Sequence, residues 1–209
     1  MRNGDLRAAL LNDARLLALL VGVLLILVWS GIAPHDYETW ALEVFPAVIG
    51  IVVLGATYRR CRLTPLVYVL VALHCVVLMV GGHYTYAEVP LGNWARDAFH
   101  LDRNHYDRLG HFAQGLVPAL LAREVLLRNN VVRRGWWLVV IVMSICMGIS
   151  ALYELLEWGV AEIDGAGSQA FLGTQGDEWD TQKDMAGCFL GAAAGLLMLS
   201  RVQDRQMGR

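Results

Sequence analysis

Six long apolar runs divide this chain of 209 residues, and each run is close to the length of a membrane-spanning helix. A helix needs about 20 residues to cross the roughly 30 Å of hydrocarbon in a bilayer. No strand-length alternation of apolar and polar side chains repeats along the chain, which disfavours a membrane β-barrel. The predicted spans cover residues 16–33, 40–58, 65–82, 109–127, 136–158 and 185–200.

The composition favours a membrane protein over a soluble one. Hydrophobic residues make up 56% of the chain and charged residues only 17%, whereas a typical soluble domain has about 25% charged residues. The sequence contains no segment typical of a soluble domain and no low-complexity linker, so residues 1–209 are predicted to form one membrane domain. The predicted fold class is all-α, a polytopic bundle of six transmembrane helices.

The basic residues predict how this bundle is oriented. Thirteen of the 17 lysines and arginines precede the first span, follow the second, separate the fourth from the fifth, or follow the sixth. Short connections rich in basic residues stay in the cytoplasm, so both termini are predicted to be cytoplasmic. The thirteen residues are Arg2, Arg7, Arg15, Arg59, Arg60, Arg62, Arg123, Arg128, Arg133, Arg134, Arg201, Arg205 and Arg209.

Two longer connections, residues 83–108 and 159–184, lie on the opposite, outer side. Most acidic residues and five of the six histidines are on this side. These connections contain no cysteine, so disulfides are not expected. A net charge of −2, with basic residues spread over several loops, gives no surface for nucleic acid. The predicted principal partner is the lipid bilayer.

Acidic residues and one histidine lie at the outer ends of three predicted spans. Residues three or four apart share one face of a helix, so each span presents a pair of polar side chains to its neighbours. An ionisable residue within a span is a functional-site hypothesis by default. The pairs are Asp107 and His111, Glu154 and Glu157, and Asp180 and Asp184.

These residues predict a polar site at the outer, periplasmic interface. If the site is catalytic, we expect His111, Glu154 and Asp184 to be its core groups. Carboxylate oxygens and an imidazole nitrogen together suit Mn, Fe, Zn or, with fewer imidazoles, Mg, so the same three residues are the predicted ligands of a divalent metal. A metal-free site with His111 as general base, and a purely structural cluster of caps and ion pairs, remain alternatives. The expected supporting residues are Asp107, Glu157, Asp180, His105 and Arg108.

The last span carries a repeated pattern of small residues, Gly187, Gly191 and Gly195. Glycines spaced four apart let the backbones of two membrane helices approach closely. Packing within the bundle is the preferred interpretation, and association of two copies into a homo-oligomer is the alternative.

Four segments of the chain resemble the YjdF-like family of bacterial inner-membrane proteins. The resemblance extends over nearly the whole chain and implies a multi-pass protein of the bacterial inner membrane. Members of that family have no known function, so the resemblance implies no activity. The segments are residues 83–90, 103–108, 153–158 and 173–185.

The second half also resembles, more loosely, the VanZ-like membrane proteins linked to teicoplanin resistance. Asp184 stands where that pattern usually has asparagine, and Glu157 stands where it usually has glutamine. The likeness implies a shared scaffold and an envelope setting, without a shared reaction. The matching positions are Asp107, Arg108, His111, Phe112, Glu154, Asp180, Gly187 and Gly191.

Three classes of function fit a polar site at one interface. The protein is an enzyme acting on an amphipathic or lipid-linked envelope substrate, a non-catalytic binding or assembly protein of the envelope, or a transporter. Only His74 is ionisable near the middle of the predicted spans, which disfavours a proton or ion pathway. A site confined to one interface suits a lipid headgroup better, and the enzyme ranks narrowly ahead of the binding protein.

Overall fold

The computed structural model describes the backbone of residues 3–164 and 174–208, and the side chains of residues 13–163 and 174–208. All regular elements within these ranges are helices, which confirms the all-α fold class. Residues 165–173 of the predicted outer segment 159–184, and the side chains of Arg2, Arg7 and Arg209, lie outside the described residues. The helices are α1 (Asn3–Ser30), α2 (Tyr37–Thr57), α3 (Pro65–Tyr84), a 3₁₀ turn (Tyr86–Glu88), α4 (Pro90–Phe99), α5 (Tyr106–Arg128), α6 (Trp136–Asp164) and α7 (Asp180–Gln206).

Five of the described helices are long and apolar enough to cross a membrane, judged by length and composition. They are α1, α2, α3, α6 and α7, and each overlaps one of the predicted spans. The remaining predicted span, 109–127, lies within α5, which is long enough but whose apolar stretch is too polar for it to be one of these five. Its polarity comes from His111 and Gln114 near one end and from Arg123 and Glu124 near the other.

Helix α5 lies at the centre of the bundle. It packs along α7 and also contacts α3 and α6. The helices α1 and α2 both pack on α3 and form a second group. Each group buries its own apolar core. Since α2 and α6 barely touch, the two groups are joined mainly through α3.

We call the end of the bundle formed by residues 83–108 and 174–184 the acidic end, and the opposite end, formed by residues 58–64, 123–136 and 201–208, the basic end. The predicted outer loop 83–108 is largely ordered into the 3₁₀ turn and α4. The ring of Tyr86 packs against α3 and α5 at two glycines, because a Cβ atom at Gly81 or Gly110 would overlap it. The missing side chains at these glycines therefore let the segment fold back onto the bundle.

A buried polar cluster at the basic end fastens α3 to α5 and α7. The side chain of Glu124 is fully buried, and both of its oxygens accept hydrogen bonds. The donors are the backbone and hydroxyl groups of Thr64 (both 2.7 Å), Nε of Arg128 (2.7 Å) and Nε2 of Gln203 (3.1 Å). Arg123 donates to Oε1 of Gln203 at 2.8 Å. Arg123 and Arg128 thus lie within α5 and not in the following connection, and both pair with other residues of the bundle.

Glycines let α5 and α7 approach closely. A Cβ atom at Gly191 would overlap the carbonyl oxygen of Phe112, and one at Gly195 would lie 3.1 Å from the carbonyl oxygen of Leu116. Gly187 has more room, since its nearest neighbour would lie 3.6 Å from an added Cβ atom. All three glycines of the predicted pattern therefore face α5 of the same chain.

We expect Gly191→Ala to lower the melting temperature of the detergent-solubilised protein. The added methyl group has to push α5 and α7 apart, and overpacking of this kind typically costs about 1–3 kcal/mol. Gly187→Ala is the matched control, because it adds the same group to the same helix without an overlap. The control is expected to be neutral or slightly stabilising, since alanine favours helix over glycine. Equal melting temperatures for the two variants would contradict the close contact.

Candidate functional site

Three helices bring acidic side chains around one histidine at the acidic end. Nε2 of His111 lies 3.5 Å from Oδ1 of Asp107 on α5 and 3.8 Å from Oδ1 of Asp184 on α7. Nδ1 of the same ring lies 3.8 Å from Oε1 of Glu154 on α6 and 3.1 Å from Oε1 of Gln114. His111 and the three acidic residues are at most 9% exposed. The structure thus brings the three predicted core residues together with Asp107.

The close contact between α5 and α7 positions this histidine. Asp107 and His111 are one helical turn apart on α5, so both face α7. On α7, Gly187 lies next to the Cβ atom of His111, which would be 3.6 Å from a Cβ atom added at that glycine. Asp184 precedes Gly187 by about one turn and therefore lies on the same face. The small-residue pattern of α7 thus determines how near Asp184 comes to the imidazole.

Two arginines pair with the aspartates at and before the start of α7. Arg108 forms ion pairs with Asp184 and Asp180, and its Nη2 lies 3.2 Å from Oδ2 of Asp177. Nη1 of Arg103 lies 2.6 Å from Oδ1 of Asp180 and 3.5 Å from Oδ2 of Asp177. The predicted supporting residues Arg108 and Asp180 therefore lie at the site, and Arg103 and Asp177 join them.

The other two predicted supporting residues have different positions. Glu157 lines an interior cavity that also reaches Asp107 and His111. His105 is exposed just before α5, and its imidazole makes no hydrogen bond or ion pair with another described residue. The structure therefore does not bring His105 into the site.

The cavity contains a carboxylate that the sequence analysis missed. It has a volume of about 220 Å³ and lies between α2, α3, α5 and α6. Glu43 of α2 lines it, is only 4% exposed, and accepts a hydrogen bond of 3.0 Å from the hydroxyl of Tyr153. A lone carboxylate in an apolar run was the signal that could have identified Glu43.

At the acidic end, some buried carboxylates have no arginine or lysine partner among the described residues. Asp177, Asp180 and Asp184 all have arginine partners. By contrast, Glu43 and Glu154 have no arginine or lysine partner among the described residues. Within the same ranges, Oε1 of Glu154 accepts no hydrogen bond. Because an uncompensated buried carboxylate costs several kcal/mol, this arrangement requires protons or a bound cation.

One subset of these residues has the spacing of a cation site. One ligand atom each from Asp107, His111 and Asp184 lies within 4.8 Å of the others, and this donor set suits Mn, Fe or Zn. The predicted metal ligands included Glu154 in place of Asp107. The two aspartates approach Nε2, however, whereas Glu154 approaches Nδ1. Glu154 and Gln114 are thus placed to orient a histidine ligand through its second nitrogen.

Two residues outside the predicted site tie the surrounding segments together. Asn104 is fully buried, and its backbone N–H donates to Oε1 of Gln175 at 3.1 Å. Nε2 of Gln175 donates back to the carbonyl of Asn104 at 2.9 Å. The side chain of Asn104 also donates to the carbonyl of Val89 at 3.1 Å. These contacts connect the segment before α5 to the segment before α7, the two segments that supply Arg103 and Asp177.

Asp177 gives a pH-dependent test of this ion-pair network. Hydrogen bonds from Lys183 and from the backbone N–H of Trp179 lower the pKa of Asp177 below its ordinary value. Since the folded-state pKa is depressed, the stabilisation is present above the ordinary carboxyl pKa of about 3.9 and is lost as pH falls through the folded value. We expect Asp177→Asn to lower the melting temperature at neutral pH, with a diminishing effect below about pH 4. A difference that stays constant with pH would contradict this assignment.

The comparisons with known proteins agree with this architecture. Residues 15–205 match a family described as predicted membrane protein (DUF2238). Over 185 residues the chain is 51% identical to the inner membrane protein YjdF of Escherichia coli (strain K12), covering 88% of each protein. No solved structure matches the chain. The resemblance to YjdF-like proteins is confirmed, and the chain is a multi-pass inner-membrane protein that belongs to the DUF2238 family.

Proposed function

We propose that this protein is a metal-dependent enzyme of the cell envelope that acts on an amphipathic or lipid-linked substrate. The main observation behind this proposal is the buried group Asp107, His111 and Asp184, whose ligand atoms lie within 4.8 Å of one another. The surplus of buried carboxylates around this group adds support, because a divalent cation would offset it. A carboxylate has about four lone-pair directions, so Asp184 can serve both Arg108 and a cation.

A divalent cation at this position would supply Lewis-acid chemistry and lower the pKa of a bound water toward about 7. The protein contributes the groups around it. Glu154 would orient the ring of His111 through Nδ1 and hold a proton there, because its Oε1 lies 3.8 Å from Nδ1 and accepts no hydrogen bond in the described part of the chain. Arg103 and Arg108 hold the start of α7, and with it Asp184, in place.

In this proposal the chain crosses the membrane six times, with α5 as the fourth span and both termini in the cytoplasm. The central position of α5 supports this topology, since its neighbours α3, α6 and α7 surround it. Its buried Glu124 and Arg123 have partners on other helices, which reduces the cost of placing them in a span. The arginines of the basic end favour the cytoplasm, so the acidic end and its site face the periplasm.

A transport function has less support. The polar part of the cavity lining reaches His74 and Gln114, and the deeper described lining residues are apolar. At the basic end, the oxygens of Glu124 are occupied by hydrogen bonds. A polar pathway across the whole bundle therefore has no support from the described residues.

Elemental analysis of the purified protein in mild detergent tests the metal. We expect near-stoichiometric divalent metal in the wild type and its loss in the double variant His111→Ala/Asp184→Ala, whose melting curve shows that it is folded. Asp97→Asn is the matched control, because this carboxylate on α4 is largely exposed and should leave the metal content unchanged. Absence of metal from the wild type, after purification without chelator and addition of metal, would favour the non-catalytic binding or assembly role.

Cysteine labelling tests whether α5 spans the membrane. Asp102 and Arg133 are exposed on either side of α5, and Cys61 is replaced by alanine to remove the half-buried native thiol. We expect Asp102→Cys to react with a membrane-impermeant maleimide in intact spheroplasts and Arg133→Cys to react only after lysis. Reaction of both in intact spheroplasts would show that α5 does not cross, and the reverse pattern would invert the orientation.

A further inference from the structure

The cavity has a polar part near the site and an apolar part deeper in the bundle. Its polar part is lined by Glu43, Asp107, His111, Tyr153 and Glu157. Its deeper part is lined mainly by small and aliphatic residues of four helices, including Gly50, Val71, Val117, Leu121 and Ile149. The cavity is therefore amphipathic along its length.

The cavity is long and narrow. Asp107 and Leu121 both line it, and at 1.5 Å rise per residue they are about 20 Å apart along α5. A volume of about 220 Å³ distributed over that length leaves room for a single extended chain of atoms. Water is poorly suited to the deeper part, because a buried water needs about 2–4 polar partners and the side chains that line the cavity beyond His74 and Gln114 are apolar.

One side of the cavity adjoins the lipid-facing surface. The helices α2 and α6 barely touch, although both contribute to its wall. Ile149 of α6 lines the cavity and is 39% exposed, so the bundle does not enclose this part of the wall. An occupant can therefore pass sideways from the bilayer between α2 and α6 without crossing the polar end.

The geometry points to a hydrocarbon chain as the occupant: we infer that the cavity holds a single alkyl chain of the substrate, with the polar head at Asp107 and His111. This inference rests on the proposed function for the role of the head, and on the cavity itself for the chain. A lipid of the outer leaflet has the same orientation, with its head at the periplasmic interface and its chain toward the middle of the bilayer. Continuity between the polar site and the apolar lining favours this occupant over a separate apolar ligand.

Gly50 provides a way to fill the cavity selectively. A Cβ atom at Gly50 would have no neighbour within 4 Å, so a larger side chain can extend there without a clash at its base. Gly55, on the same helix, has equally open surroundings but does not line the cavity. Gly50→Phe is therefore the blocking variant, and Gly55→Phe is its matched control.

The test uses dodecyl phosphate with a photoreactive diazirine at the end of its chain. Purified full-length protein in phosphatidylcholine nanodiscs is irradiated with the probe, and the labelled positions are mapped by mass spectrometry. We expect labelling near Leu121 and Ile149 in the wild type and in Gly55→Phe, and its loss in Gly50→Phe. In the wild type, excess unlabelled dodecyl phosphate should suppress labelling at these positions, which provides a test even if Gly50→Phe does not fold.

Labelling confined to lipid-facing residues such as Leu25 and Val28 of α1 would overturn the inference. Labelling of the cavity that is unchanged both in Gly50→Phe and in the presence of the competitor would also overturn it. Metal content measured on the same samples separates the two proposals. Blockable cavity labelling in a protein without metal would support the alkyl-chain site and contradict the metal. Metal in a protein without cavity labelling would do the reverse.

Discussion

The cost of taking carboxylates out of water governs the acidic end of this bundle. A carboxylate in a membrane interior loses several kcal/mol of hydration even after the protein relaxes around it. It persists there only with a proton, a cation or strong hydrogen bonds. Arg103 and Arg108 meet this need for the aspartates at and before the start of α7. Glu154 has no arginine or lysine partner among the described residues, and the candidate site lies where this compensation is incomplete.

The two ends of α5 show the contrast within one helix. At the basic end, Glu124 is buried and its oxygens receive hydrogen bonds from Thr64, Arg128 and Gln203. A carboxylate with this set of donors has a structural role that needs no further partner. At the acidic end, Glu154 is similarly buried, yet one of its oxygens accepts no hydrogen bond within the described residues. Burial alone therefore does not separate these two carboxylates, whereas their unused acceptor capacity does.

Hydropathy predicts the apolar helices well, because each of them is uniform enough to be recognised without its neighbours. It describes α5 poorly, since the partners of Arg123 and Glu124 lie on other helices. The sequence places Asp107, His111, Glu154 and Asp184 near the outer ends of their predicted spans. Because they lie at one level of the membrane, they are predicted to meet. The spacing along the chain cannot specify which acid approaches which imidazole nitrogen, because that depends on how α6 and α7 are rotated about their axes. Glu43 could have been identified as a lone carboxylate in an apolar run, but its partner Tyr153 could not, because the two are distant in sequence.

The glycine contact between α5 and α7 has a mechanical consequence. His111, the two arginines and the aspartates all lie on α5, on α7 or in the segments just before them, so backbone contact holds them as one rigid body. The group α1 to α3 touches this body mainly through α3. Among the described residues, the hydrogen bond from Tyr153 to Glu43 is the one polar link between α2 and α6. The two groups of helices are therefore connected mainly along α3. Moving α2 away from α6 breaks a single hydrogen bond, while every ion pair of the site stays intact.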